Sequence, residues 1–370
     1  MSAAGSGSPS VVLAGGGTAG HTSPLIATAH ELSALNPEVV LTAVGTARGL
    51  ETTVVPAAGL PLRLISPVPM PRRPTLDLAR VPVRLWRSVG EAAEILRSVR
   101  ADVVLGFGGY VSTPVYLAAR RLRVPIVIHE QNALPGLANR VAARFTSSVF
   151  VSFPGTPLPH ATWIGLPLRR SIVELDRAAR RRAARERFGL DPELPTLLVS
   201  GGSQGAMSIN TAVLGARDTL LAQGIQVLHV LGPKNMSDAT VATTHPSTGA
   251  SYQPLAYVDQ MEEAYAAADL MLGRCGASTV LETAAVGLPA VFVPYPHGNG
   301  EQGRNAAVVV EAGGAELLAD ADCTTDWASR RIPELILDPK ALEGMSRATA
   351  GVGNRDAATV LATKTLEVAV

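Results

Sequence analysis

Short apolar runs of strand length alternate along this chain with segments whose apolar positions recur every three or four residues. The first pattern predicts buried strands and the second amphipathic helices. In the first half, strands are expected at VVLAG, VVLTAV, LRLIS, DVVLGF, PIVIHE and SVFVS. In the second half they are expected at TLLVSG, IQVLHVLG, YQPLAYV, DLMLG, PAVFVPY and AELLA. Regular alternation of strand and helix argues for an α/β fold with parallel sheets. Between the two sets lies SFPGTPLPHATWIGLPLRR, with Pro154, Pro157, Pro159 and Pro167, which reads as an extended connector with a domain boundary near residue 167. The halves also echo each other, since VVLAGGGTAGH and LLVSGGSQGA are both strand, glycine turn and helix. The expected architecture is two doubly wound, Rossmann-like domains facing a cleft, covering 10–167 and 168–352, after a loose tail over 1–9.

Bulk properties narrow the class. The 370 residues are 47% hydrophobic and 17% charged, which describes well-cored globular domains. A formal net charge of +1 and 4% aromatic residues give no pull toward nucleic acid and little to stack bases on. Cys275 and Cys323 have no metal-site spacing and make no disulfide framework. The first ten residues lack the basic start and apolar core of a signal peptide, and no uninterrupted apolar run reaches membrane-spanning length. The strongest charge run, RAARRRAARERFG from Arg177, reads as a solvated helix face.

Candidate chemistry sits at the glycine turns. Gly15-x-Gly17-x-x-Gly20 could be a dinucleotide fingerprint, but the second strand ends in Gly45-Thr46, with no acid for a ribose until Glu51. Gly201-Gly202-Ser203-Gln204-Gly205 offers N–H groups and a hydroxyl to a phosphate. At GRCGASTVLETAAV a helix start could carry a diphosphate, with Arg274 beside it and Glu282 accepting from a ribose diol. PYPHGNGEQGRNA brings His297, Glu301, Gln302 and Asn305, a polar set suited to sugar hydroxyls. In the first half, GFGGYVSTP and IHEQNALPGLANR follow strands, and His129, Glu130, Asn132 and Asn139 are too many polar groups for a turn with no job, though His129 alone reads equally well as a satisfied core histidine. Around PRRPTLDLARVPVRLW, arginines alternate with Leu78, Leu85 and Trp86, either as a core-packed helix start or as a patch that meets anionic lipid.

Taken together, GGTAGH (Gly16–His21), GGYVS (Gly108–Ser112), HEQN (His129–Asn132) and GGSQGA (Gly201–Ala206) resemble the motifs of the bacterial undecaprenyl-diphospho-muramoylpentapeptide β-N-acetylglucosaminyltransferases. These are GT-B glycosyltransferases of peptidoglycan synthesis, and the similarity runs from about Val11 to the last helix. The resemblance implies transfer of N-acetylglucosamine from UDP-GlcNAc to the 4-hydroxyl of a lipid-linked muramyl-pentapeptide, turning lipid I into lipid II, with inversion. It implies a peripheral enzyme at the cytoplasmic face of the membrane, using no cofactor. Carried onto this chain, Thr18, Ala19, Gly20, Asn132, Arg169, Ser203, Val258, Ala277, Ser278, Thr279, Val280, Leu281, Glu282 and Gln302 would hold the nucleotide sugar. Val258 would meet uracil through its main chain. Tyr110, His129 and Asn139 would face the acceptor, and His21 would be the general base, with Glu130 the runner-up. The closing helix, 353–370, would pack back on the first domain, as in relatives.

Three rivals remain open on the sequence. One is an epimerase acting on the same UDP-sugar without an acceptor, of the UDP-GlcNAc 2-epimerase kind. The others are a nucleotide-dependent oxidoreductase and a sugar-nucleotide sensor without turnover. Asp320-x-Asp322 resembles a metal-binding pair but precedes TTDWASRRI, so it reads as a turn and helix cap, and no protein-held metal is expected.

Overall fold

The structure, a computed structural model, describes residues 8–68, 81–202, 205–237, 240–297 and 299–369. The chain divides into two compact units, one of residues up to Arg169 together with those from Arg355 onward, the other Arg170–Asn354.

The first unit runs β1 (Ser10–Ala14), α1 (Ala19–Leu35), β2 (Val40–Gly45), α2 (Glu51–Ala57), β3 (Leu62–Leu64), α3 (Val81–Ser98), β4 (Val103–Gly106), α4 (Gly109–Leu122), β5 (Ile126–Glu130), α5 (Leu137–Ala142), β6 (Val149–Val151) and β7 (Ala161–Trp163). Its strands form a seven-stranded sheet in the order 3-2-1-4-5-6-7. Every pairing is parallel. The order reverses between β1 and β4, where Ala14 lies opposite Gly106. That switch point is where loops diverge and leave room for a ligand. The loop after β1, the loop after β4 and the end of β5 therefore emerge side by side.

Central strands of such a sheet are covered on both faces, which is why they read as unbroken apolar runs. Val11, Leu13, Leu25, Ala29 and Leu32 pack on one face together with Leu361 and Ala362. The last two come from the closing helix of the chain (Ala357–Val368), which completes this unit's core. The proline-rich connector is not wholly extended coil: β7 lies in it, an exposed edge strand paired with β6.

The second unit runs α6 (Arg170–Val173), α7 (Arg177–Arg187), β8 (Thr196–Ser200), α8 (Met207–Ala222), β9 (Gln226–Val230), β10 (Thr243–Thr244), β11 (Ser251–Leu255), α9 (Met261–Ala267), β12 (Leu270–Gly273), α10 (Ala277–Val286), β13 (Ala290–Phe292), α11 (Glu301–Glu311), β14 (Ala315–Leu317), α12 (Thr325–Ile336) and α13 (Pro339–Val352), so the closing helix is α14. Its sheet has the order 10-11-9-8-12-13-14 and reverses between β8 and β12. Only β10, against β11, is antiparallel among the described strands.

Two expectations change here. The arginines of α7 do not simply face solvent. Arg177 donates to the main-chain oxygens of Tyr265, Ala268 and Gly287, and Arg185 is wholly buried against Ala267, Pro192 and Asp269. Burial, opposed only in part by Asp269, pushes the Arg177 guanidinium down to about 10. Nor does Asp320-x-Asp322 cap the next helix. It forms a single turn, and Thr324 is the residue whose hydroxyl accepts from Trp327 N–H at the start of α12.

Candidate active site

In the first unit, the glycine loop after β1 is tied down by a residue that the motif does not contain. Glu51, fully buried at the start of α2, accepts from the Gly17 N–H (2.8 Å), the Thr46 N–H (2.9 Å) and the Thr46 hydroxyl (3.1 Å). The loop has no room for side chains: a Cβ on Gly16 would come within 2.6 Å of a Glu51 carboxylate oxygen. Gly17 takes a left-handed φ of +91°, and a Cβ there would press on the Tyr110 ring at 2.8 Å. The N–H that would greet a pyrophosphate is thus already bonded to a carboxylate. This is a physical reason, beyond the missing ribose acid, why the fingerprint is not a dinucleotide site.

Thr46 also links to Tyr110, hydroxyl to hydroxyl at 3.1 Å, so the two glycine loops and the end of β2 form one bonded unit. Thr18 and Ala19 are exposed and Gly20 half-buried at the start of α1, where the first N–H groups have no partner within the helix. His21, on that first turn, is half-buried, with its Nδ1 2.8 Å from Oε1 of Gln131.

Three other expected site residues are placed differently. Glu130 is buried, and its carboxylate accepts from the Asn132 N–H (3.0 Å), the Gly136 N–H (3.0 Å) and the Asn139 amide (2.9 Å). Burial raises its pKa, against the pull of these three donors and of the nearby His21. A carboxylate so occupied closes its own loop, which makes it a poor runner-up base. Asn139 is wholly buried between Glu130, the His129 carbonyl and the Tyr116 hydroxyl, which donates to it at 2.8 Å. His129 is also fully buried, with Nε2 2.9 Å from the Gly165 carbonyl, and burial lowers its pKa to about 4. Neither Asn139 nor His129 has a side-chain atom at the surface to offer an acceptor. Asn132 and Arg169 are half-buried.

In the second unit, Ser203 lies outside the described residues. Its neighbours Gly202 and Gly205 take φ of +81° and +74° ahead of α8. Arg274, expected beside a diphosphate, is instead committed within the fold. It pairs with Asp320 (2.5 Å) and donates to the carbonyls of Val293 and Pro294. Ser208 completes that clamp by donating to Asp320 at 2.6 Å. At the start of α10, Ser278 and Thr279 are half-buried, while Ala277, Val280 and Leu281 turn their side chains into the protein, leaving only main chain for a ligand.

Glu282 is buried one turn further along α10, and one carboxylate oxygen accepts from the Tyr265 hydroxyl at 2.8 Å. Gln302 is half-buried, and its Oε1 accepts from the Tyr295 N–H at 2.9 Å. That bond leaves its NH2 group as the donor to present elsewhere. Asn305 is fully buried with its amide toward the Cys275 carbonyl, so it holds the loop and does not face a sugar. Val258 lines an open cavity of about 480 Å³ with Phe188, Leu255 and Tyr257. Among the described residues no group of three or more His, Cys, Asp or Glu could hold a metal ion.

With this geometry in view, the models of the glycosyltransferase family 28 N-terminal and C-terminal domains match residues 11–151 and 196–361. The chain belongs to glycosyltransferase family 28. Among relatives of this family 28 chain, a Nocardioides sp. (strain ATCC BAA-499 / JS614) protein is 56% identical over 96% of this chain and 97% of its own. A Cutibacterium acnes protein is 54% identical over 97% of each. Both are named UDP-N-acetylglucosamine–N-acetylmuramyl-(pentapeptide) pyrophosphoryl-undecaprenol N-acetylglucosamine transferase. The crystal structure of Acinetobacter baumannii MurG is 25% identical with a TM-score of 0.74, covering 97% of this chain and 99% of that one. The calicheamicin glycosyltransferase CalG4, at 17% identity and TM-score 0.68 over 97% and 98%, shares the fold. Two Rossmann-like α/β domains, expected from the strand pattern, and their GT-B class, implied by the resemblance, are therefore established for this family 28 enzyme.

Proposed function

We propose that this glycosyltransferase moves N-acetylglucosamine from UDP-GlcNAc to the 4-hydroxyl of the muramyl sugar in undecaprenyl-diphospho-MurNAc-pentapeptide, with inversion. What carries this is identity of 54–56% over nearly the whole chain to relatives whose names state that donor and that acceptor. The second unit holds the donor: the α10 start at the diphosphate, Glu282 at the ribose, the main chain of Val258 at uracil, Ser203 at the phosphates and the Gln302 amide at the sugar. Thr18 to Gly20, Asn132 and Arg169 add contacts from the first unit. His21 takes the hydroxyl proton as the acceptor oxygen attacks the anomeric carbon. The C–O bond to the diphosphate breaks, and the helix N-terminus stabilises the charge that leaves with UDP. Tyr110 faces the acceptor, while Glu130, His129 and Asn139 hold the loop that shapes its site.

The acceptor's lipid calls for a membrane surface, at the cytoplasmic face. Val83 and Trp86 on α3 are 71% and 76% exposed, with Arg84 and Arg87 on the same helix, a set suited to anionic headgroups. Leu78 and the arginines before Val81 lie outside the described residues. Among the described residues no helix is long and apolar enough to cross a membrane.

Measuring UDP release with and without the lipid-linked acceptor tests the reaction. Release should require the acceptor and stoichiometrically yield the disaccharide product, and acceptor-independent epimerisation of UDP-GlcNAc would overturn it. In the same assay, Val83→Ser with Trp86→Ser should lower turnover of vesicle-embedded acceptor while sparing a short-chain soluble one. Equal losses on both would count against the membrane surface.

A further inference from the structure

The hydrogen-bond chain behind His21 fixes which of its ring nitrogens carries a proton. It begins at the His129 carbonyl, which can only accept. The Gln131 side-chain atom 2.8 Å from that carbonyl must therefore be the NH2 group. The same NH2 lies 3.2 Å from Nδ1 of His129. Nε2 of that histidine faces the Gly165 carbonyl and so carries the proton, which leaves its Nδ1 bare to accept from Gln131. Two independent acceptors thus pin one orientation of the Gln131 amide, which is buried. Its oxygen is left facing Nδ1 of His21 at 2.8 Å. An amide oxygen does not donate, so His21 Nδ1 is protonated, and in the neutral ring Nε2 is bare.

We propose that Gln131 is a positioning residue for the transfer reaction: it holds His21 in the Nδ1–H tautomer, with Nε2 free to take the acceptor's proton. This rests on His21 being the base. Among the described residues Nε2 makes no hydrogen bond. It lies beside Gly109, whose missing Cβ would come within 3.5 Å of it. In the step itself, the hydroxyl proton passes to Nε2 as the new C–O bond forms and the bond to UDP breaks. The resulting imidazolium keeps its Nδ1–H on the Gln131 oxygen. The division of labour matches the general rule that the partner of one ring nitrogen decides what the other can do.

The decisive measurement is the tautomer itself. In full-length protein with 15N-labelled histidine at pH 8.5, two-bond 1H–15N correlations should show His21 with Nδ1 protonated and Nε2 bare, the signals being assigned by their loss in His21→Gln. Gln131→Met should shift His21 toward the Nε2–H form. It should lower kcat roughly ten- to a hundredfold, with KM for UDP-GlcNAc and acceptor changed less than about twofold. A wild-type His21 protonated on Nε2 overturns the proposal whether or not Gln131→Met folds, and so does a Gln131→Met enzyme that keeps both tautomer and turnover. If the tautomer behaves as expected but His21→Gln retains wild-type turnover, the base assignment fails and takes the catalytic role of Gln131 with it.

Discussion

Gln131 and Asn210 use one device for opposite ends. The Asn210 amide donates to the Leu231 carbonyl, so its oxygen faces Nε2 of His229, whose Nδ1 accepts from Tyr252. His229 is wholly buried with both nitrogens engaged, whereas His21 is half-buried with only Nδ1 engaged among the described residues, and that difference separates a core histidine from a candidate base. The same accounting sharpens the donor site. Because Tyr265 already fixes one oxygen of Glu282, the carboxylate is oriented before any ligand arrives. Glu282→Ala should therefore remove charge-assisted bonds of about 1.5–3 kcal/mol. Calorimetry should show UDP-GlcNAc affinity falling roughly ten- to a hundredfold, with KM for the acceptor nearly unchanged; unaltered donor affinity would remove Glu282 from the ribose. Gln302, its oxygen already accepting from Tyr295, keeps its N–H groups as donors for a sugar hydroxyl. In Gln302→Ala, discrimination between UDP-GlcNAc and UDP-GalNAc should flatten, and an intact ratio would assign the sugar to other groups.

The arginine helix α7 shows what a charge run can hide. Arg185 pairs with Asp269 at 2.6 Å, and Arg181 reaches the same carboxylate at 2.7 Å. Arg185→Ala should leave the Ala267 and Pro192 carbonyls without their guanidinium donor while Asp269 keeps Arg181 and the Thr196 N–H, costing about 1–3 kcal/mol in urea unfolding of the second unit. A loss under 1 kcal/mol would restore the solvated-face view. Helical periodicity alone could not have told these arginines apart, because the carbonyls and the aspartate they bind come from distant segments. The strands divide in the same way. β1, β4, β8 and β12 are buried along their whole length and announce themselves as apolar runs. The three-residue β7, wholly exposed, and the two-residue β10 lie at sheet edges and are too short to make an apolar run. The glycine loops were legible because close approach demands glycine in a fixed local order. Glu51 was not, since its bond to Gly17 spans 34 residues and follows no spacing rule.

Each unit buries a neutral histidine, and this gives the whole molecule a pH dependence whose sign follows from proton counting. Burial lowers His129 to about 4 and His229 to about 3, whereas both rejoin the ordinary value of 6.5 on unfolding. Between these limits the unfolded chain binds more protons than the folded one, so stability is full above pH 6.5 and declines as pH falls. By pH 5 each histidine costs about 2 kcal/mol relative to pH 7.5. In the first unit Glu130 works the other way, because a carboxyl raised by burial takes its proton more readily when folded. The second unit is the cleaner test, since Asp320, lowered by Ser208 and Arg274 against its own desolvation, begins to weaken it only under more acidic conditions. Urea unfolding, followed by probes in each unit so that two transitions can be separated, should show the second unit losing about 2 kcal/mol between pH 7.5 and 5. His229→Gln keeps a donor for Asn210 and an acceptor for Tyr252 without a titrating ring, and should remove most of that loss. A wild-type second unit equally stable at both pH values would mean that His229 is not held neutral by burial, and that its ring reaches water or a counter-charge when protonated.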